Sequence, residues 1–215
     1  MAERWIADRM TRFDSSGIRK VFDLAAKMKN PVNLSIGQPD FDVPDAVKTS
    51  AIEAIKGGKN SYALTKGLPT LREKLHAQVS AEYGQADRDL MVVNGTSGGL
   101  NLAFQVLVQP GDEVIIFDPY FVMYPPLVEL VGGTPVYVDT YPDFQIDLDK
   151  VRAAMTPRTK MVLFNSPANP TGVVASPEIV RGLAELCREK NVVLVSDEIY
   201  RLFCHEPFES PAKYN

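Results

Sequence analysis

The sequence predicts an α/β fold of three layers, a mainly parallel sheet with helices on both faces. Two observations lead there. From about residue 69, aliphatic runs of four to six residues alternate with helix-like stretches, the pattern of strands buried on both sides and joined by crossover helices. The residues least suited to a core, Asn94-Gly95-Thr96-Ser97, Asp118-Pro119-Tyr120-Phe121, Asn165 through Gly172 and Ser196 through Tyr200, fall where the strands run out. Ligands bind at the carboxyl ends of the strands in such sheets.

The elements follow in order. SGIRKVFDLAAKMKN reads as a helix, with Ser16 as its cap and Ile18, Val21, Phe22, Leu24 and Ala25 as an apolar face, ending at Asn30-Pro31. NLSIGQPDFDVPDAV is an extended piece broken by Gly37, Pro39 and Pro44. Pro44 suits the first turn of a helix carrying Val47, Ala51, Ile52 and Ile55, which Gly57-Gly58 stops. The alternation then runs helix LPTLREKLHAQVSAEYG, strand LMVVN, helix SGGLNLAFQVLVQ and strand EVIIFD. After a segment around FVMYPPLVELVGG come strand PVYVD, a helix from near Asp147, strand KMVLFN, helix PEIVRGLAELCREKN and strand VVLVSD.

A chain of 215 residues with 45% hydrophobic and 23% charged residues has the make-up of a soluble globular protein with a sizeable core. A net charge of −4 offers no basic face, which argues against nucleic acid and anionic membranes as partners. The start, MAERWIADRMTRFDSSG, has no apolar h-region, and no apolar run reaches the ~20 residues of a membrane span. Cys187 and Cys204 show neither a disulfide framework nor metal spacing, and Cys187 reads as a small core residue. The expectation is a cytoplasmic protein.

Each strand end has two readings. N-G-T-S-G-G offers backbone N–H groups and the hydroxyls of Thr96 and Ser97 to an anion at a helix start; equally, its small residues pack a tight turn. It has neither Walker nor dinucleotide spacing. At D-P-Y-F the aromatics stack on a flat ring or close the core. N-S-P-A-N-P-T-G is a rigid loop, extended or cis at its prolines, and it aims the amide of Asn169 at a ligand better than a plain helix-entry turn would require. Asp197, ending a buried strand, needs a cation or strong donor. It caps a short helix through Tyr200, or it meets a protonated heterocyclic nitrogen whose ring Tyr200 holds by another edge.

Taken together, SIGQPDFDVP, SYALTKGLPTLRE, QPGDEVIIFDPYFVMYP, NSPANPTG and VSDEIY, in this order, resemble the class I/II aminotransferases that use pyridoxal 5'-phosphate. The likeness runs from about Ser16 to the end, and its N-terminal part is similar to the bacterial and archaeal branch with aspartate and aromatic aminotransferases. It implies a partial large cofactor domain over residues 46–215, preceded by a small-domain and interface segment over residues 1–45. It implies that Asp197 pairs with the pyridine nitrogen, that Asn169 and Tyr200 hydrogen-bond the ring's phenolic oxygen, and that Phe121 stacks on the ring. Many aspartate-specific relatives carry Trp at that last position. Gly95, Thr96 and Ser97 then hold the phosphate, and Tyr62 reaches the phosphate in a neighbouring subunit of a homodimer with shared sites. Gly37 lets the substrate carboxylate approach the backbone, beside Asn169. The implied reaction is ping-pong transfer of an amino group from an amino acid to a 2-oxo acid.

The aldimine lysine, which in that family follows a further strand in a Ser-Lys context, is expected to be absent from this chain. Lys213, in ESPAKYN, has no strand before it, and Lys66 and Lys160 read as solvated. The expectation is therefore a partial chain of a complete aminotransferase. The alternatives are a non-catalytic module that binds the cofactor or serves assembly, and a β-lyase or decarboxylase on the same scaffold. Aspartate, aromatic and aliphatic amino acids all stay open as substrates.

Overall fold

The computed structural model describes residues 5–12, 21, 24–25, 27–30, 32, 37, 39, 41–85 and 87–214. Of the first expected helix, the cap Ser16 and the face residues Ile18 and Phe22 lie outside the described residues. Val21, Leu24 and Ala25 are helical, with Val21 and Leu24 exposed. A 3-10 turn, Asp8–Arg12, also precedes the main body.

The first described α-helix, α1 (Asp45–Lys56), starts one residue later than expected. Pro44 is its N-cap with an extended ψ of 138°, and Gly57 closes it. α1 buries none of its residues, so Val47, Ile52 and Ile55 remain exposed. α2 (Pro69–Tyr83) has Pro69 in its first turn, where a missing N–H costs nothing, and left-handed Gly84 at its end.

The core begins with α3 (Gly95–Leu107). Then come β1 (Glu113–Asp118), α4 (Tyr124–Leu130), β2 (Thr134–Asp139), α5 (Leu148–Ala154), β3 (Thr159–Asn165), α6 (Pro177–Lys190) and β4 (Val193–Asp197). The four strands form one sheet in the order β2-β1-β3-β4, with every pairing parallel. Two of these helices, α5 and α6, are capped by side chains. Asp147 Oδ1 accepts from Asp149 N at 2.9 Å and Lys150 N at 3.3 Å, and Ser176 Oγ accepts from Ile179 N.

Side-chain alternation on the strands makes two cores, as a sheet covered on both faces requires. Val114, Ile116, Met161 and Leu163 meet Leu100 and Phe104 of α3 and Tyr124, Leu127 and Val128 of α4. Ile115, Val162 and Phe164 point the other way, against Val151 of α5 and Val180, Leu183, Leu186 and Cys187 of α6. Burying each large side chain contributes about 1.5–3 kcal/mol before entropy is counted.

The run Leu90–Asn94, expected as a strand, pairs in no ladder among the described residues. β1 and β3 have both edges taken, and the run does not lie along the open edge of β2 or β4 either. Instead, Val92 N donates to Lys66 O at 3.0 Å, and the Val92 side chain lies where a Cβ on Gly67 (φ +103°) would come within 2.7 Å of it. The extended run is therefore fixed by a glycine contact and one backbone bond, not by sheet pairing. The segment after β4 is tied back to the end of α2. Arg201 Nη1 donates to Tyr83 Oη at 2.8 Å and to Glu82 at 3.0 Å, and Gln85 Nε2 donates to Ala212 O at 3.0 Å.

Candidate active site

Parallel pairing aligns the strands' carboxyl ends, so Asp118, Asn165 and Asp197 finish at the same edge of the sheet. Asn165 pairs in register with Asp197. Asp197 is buried, with 5% of its surface exposed. Tyr124 Oη donates to its Oδ2 at 2.9 Å, and Ile199 N donates to its Oδ1 at 3.2 Å. The second bond closes a tight turn at Asp197. The helix through Tyr200 does not form; a 3-10 turn, Arg201–Phe203, starts after it.

Tyr124 was not singled out by the sequence reading. It is 3% exposed, at the first position of α4. Burial, and then the Asp197 carboxylate, push its hydroxyl well above the usual phenol range, so it stays protonated and acts as a donor. Its ring meets Phe121 edge-on, with centroids 5.6 Å apart and planes at 77°. One side chain thus braces the carboxylate and backs the half-buried Phe121. The signal for it lies in three dimensions: a buried carboxylate demands a donor, and this donor is 73 positions away.

The rigid loop behaves as expected at its prolines, with cis peptides at Ser166–Pro167 and Asn169–Pro170. Asn169 Nδ2 donates to Tyr200 Oη at 3.3 Å. Asn169, Tyr200, Phe121 and Gly37 all line one cavity of about 910 Å³, to which Phe203 to Glu206 also contribute. Asp197 is buried and does not itself line this cavity; Tyr124 links it to the lining residue Phe121.

At the start of α3, Gly95 has φ +70°, a turn that side chains rarely adopt, and the N-cap Asn94 makes no side-chain bond to the helix. The first-turn N–H groups are therefore free of a side-chain cap. Ser97 Oγ donates to Met123 Sδ at 3.6 Å, tying this helix start to the turn that carries Phe121 and Tyr124. Thr96 and Ser97 are half-buried. Tyr62 is fully exposed and does not line the cavity.

The lysines weighed above lie elsewhere. Lys66 pairs with Asp89, Lys213 Nζ pairs with Glu209 at 2.9 Å, and Lys160 is exposed at the start of β3. Among the described residues no group of three or more His, Cys, Asp and Glu side chains is arranged to hold a metal, and no helix is long and apolar enough to cross a membrane.

Comparison with known proteins gives the family. The chain is 40% identical over 197 residues to a probable aspartate aminotransferase of Methanocaldococcus jannaschii, covering 91% of this chain and 52% of that protein. It is 42% identical over 192 residues to an aspartate/prephenate aminotransferase of Thermus thermophilus, covering 87% and 50%. The chain spans about half the length of the curated relatives it matches. The solved aspartate aminotransferase of Thermus thermophilus with maleate superposes with a TM-score of 0.90 at 38% identity, over 97% of this chain and 57% of that one. The enzyme of the same name from Thermotoga maritima gives 0.90 at 33% identity, over 98% and 58%. The family model described as aminotransferase class I and II matches residues 29–213, and the chain belongs to that family.

Proposed function

We propose that the protein carrying this chain is a pyridoxal-phosphate-dependent aminotransferase that moves an amino group between an L-amino acid and a 2-oxo acid by a ping-pong mechanism. One observation carries the reading: a buried carboxylate, Asp197, is linked through Tyr124 to Phe121, which lines one cavity together with Asn169 and Tyr200.

The residues fit the cofactor. An ionised carboxylate has about four acceptor positions, and Asp197 uses two of them internally, so a protonated pyridine nitrogen has a place to bond. Asn169 and Tyr200 stand side by side to hold the ring's phenolic oxygen. Phe121, half-buried and backed by Tyr124, offers a flat face to the ring. Gly95, Thr96 and Ser97 supply N–H and hydroxyl donors to the phosphate at the helix start. When bound, the cofactor supplies an electron sink for the substrate's α-carbon. The chain's own residues orient that ring, hold a proton at its nitrogen through Asp197, and bring the substrate carboxylate to the backbone at Gly37 beside Asn169.

The same reading assigns residues 46–215 to a partial large domain and residues 1–45 to a small-domain and interface segment. It makes the active form a homodimer in which Tyr62 reaches the neighbouring subunit's phosphate; its full exposure supports such a role. The thiols of Cys187 and Cys204 are unpaired, which suits a reducing cytoplasm.

The test uses the full-length gene product. Pyridoxal phosphate should bind with a new absorption band, and an added amino acid should yield its 2-oxo acid in a single half-reaction. Absence of a bound-cofactor band would remove the proposal. Pyruvate and ammonia formed with no second substrate would replace transfer by elimination. The 215-residue chain, treated with the cofactor and borohydride, should show no stoichiometric pyridoxyl addition at any one lysine, because Lys66, Lys160 and Lys213 are all exposed or ion-paired.

A further inference from the structure

We infer that Asn165 is a positioning residue that holds Asn169 and Asp197, the two ring-contacting residues of neighbouring strand ends, in one fixed relation. The inference rests on the cofactor reading above.

The ladder between β3 and β4 ends at the pair Asn165 and Asp197. Beyond that point the two chains diverge into separate loops, and regular strand bonds no longer set their spacing. The Asn165 side chain fills that role. Its Nδ2 donates to Asp197 O at 2.9 Å, and its Oδ1 accepts from Asn169 N at 2.8 Å. Turning the amide over would set oxygen against carbonyl oxygen and N–H against N–H, so one orientation alone satisfies both contacts.

Other bonds in the loop do a different job. Ala168 N donates to Val173 O, Gly172 N to Ala168 O, and Ala175 N to Ser166 Oγ. These fix the loop's own shape. Ser166 N also donates to Asp197 O, at 3.3 Å, but it makes no bond to Asn169. Asn165 is the contact that spans from Asp197 to Asn169. Its role needs a donor and an acceptor at that length from the backbone: an aspartate keeps only the acceptor, and an alanine keeps neither.

The test is made on the full-length gene product with pyridoxal phosphate as the probe, using Asn165→Asp, Asn165→Ala, Asn169→Ala and the double variant Asn165→Ala/Asn169→Ala. Three quantities are read: cofactor affinity, the pH midpoint of the bound cofactor's absorption, and the urea midpoint of the apoprotein. Donation from Asn169 favours the deprotonated phenolic oxygen, so loosening it raises the absorption midpoint, by about half a unit or more. Both Asn165 variants should show this rise together with cofactor binding weakened roughly tenfold. In the Asn169→Ala background the change at Asn165 should move the midpoint clearly less than in the parent, the remainder coming through Asp197, as expected of a residue that acts through others.

A lowered urea midpoint with an unmoved absorption midpoint would reduce Asn165 to a structural contact and overturn the inference. So would failure of both single variants to fold, or an undiminished shift in the Asn169→Ala background. Parent protein that binds the cofactor while the variants titrate like it would sink the inference and leave the proposed function standing. Parent protein that binds no cofactor would remove both.

Discussion

Tyr124 shows how much of this site is made by residues that touch no ligand. Its hydroxyl is the side-chain donor to a buried carboxylate, and a carboxylate left short of a donor in such a place is costly. Tyr124→Phe keeps the ring, its packing and its edge-on contact with Phe121, and removes the hydrogen bond alone. The expected result is cofactor binding about tenfold weaker, with the apoprotein's far-UV circular dichroism unchanged, read by fluorescence titration of the full-length product. An unchanged affinity would show that Ile199 N suffices to hold Asp197. At this scale the sequence was informative wherever a residue's chemistry shows in its neighbours: Asp197 after four aliphatics, Asn169 between prolines, small residues opening a helix. It was silent on Tyr124 and Asn165, whose partners are set by strand order and register and not by neighbouring letters.

Among the elements, the strands were legible as runs, but the sheet that joins them was legible only in part. Leu90–Asn94 has the composition of a strand and pairs with nothing described: composition makes a run extended, but a ladder depends on where the run is anchored, here against Lys66 and Gly67 and not beside the open edge of β2 or β4. The start of β1 has such an anchor. Glu113 N donates to Arg158 O at 2.9 Å, Thr156 Oγ1 donates to Glu113 Oε2 at 2.5 Å, and Arg158 Nε donates to Glu113 Oε1 at 3.0 Å. These contacts lock the first residue of β1 to the loop that enters β3. The Thr156 hydroxyl, and then Arg158, hold the Glu113 carboxyl below the usual glutamate range, against the opposing effect of burial. A lowered folded value means that the contribution is fully present above the unfolded value of about 4.3 and is lost as pH falls through the folded one. Glu113→Gln should therefore cost about 1–2 kcal/mol near neutral pH, and the gap from the parent should close as pH drops toward 3. Urea midpoints across that range measure it, and a gap independent of pH would mean that packing, not charge, is what the substitution disturbs. β4 offers the opposite case. It pairs with β3 alone among the described strands, and Val193 to Ser196 are only half-buried. In the 215-residue chain its amides should exchange with deuterium at least about tenfold faster than those of β1, which is paired on both sides, and β4 should be the place where isolated chains associate edge to edge.

Over the whole molecule, two covered faces and one aligned edge explain why the site residues meet, while the exposed helix α1 and the fully exposed Tyr62 point outward from that body. A fully exposed tyrosine adds little to the stability of its own chain, so Tyr62→Phe should leave the stability of an isolated chain unchanged. In the proposed dimer it should weaken the partner's phosphate site. Hybrid dimers separate the possibilities. One subunit carries Tyr62→Phe and the other carries Asp197→Ala. If sites are shared, the first subunit combines its own intact Asp197 with an intact Tyr62 from its partner, and the second subunit's site takes both defects. The hybrid should then regain about half of the parent's cofactor-binding sites at parent affinity, a simple count of intact sites in a two-fold assembly, whereas neither variant homodimer holds any. If each site is built from one chain, every site in the hybrid carries a defect and no high-affinity class appears. Equilibrium titration of purified, differently tagged hybrids distinguishes the two, because shared sites restore the number of tight sites and unshared ones do not.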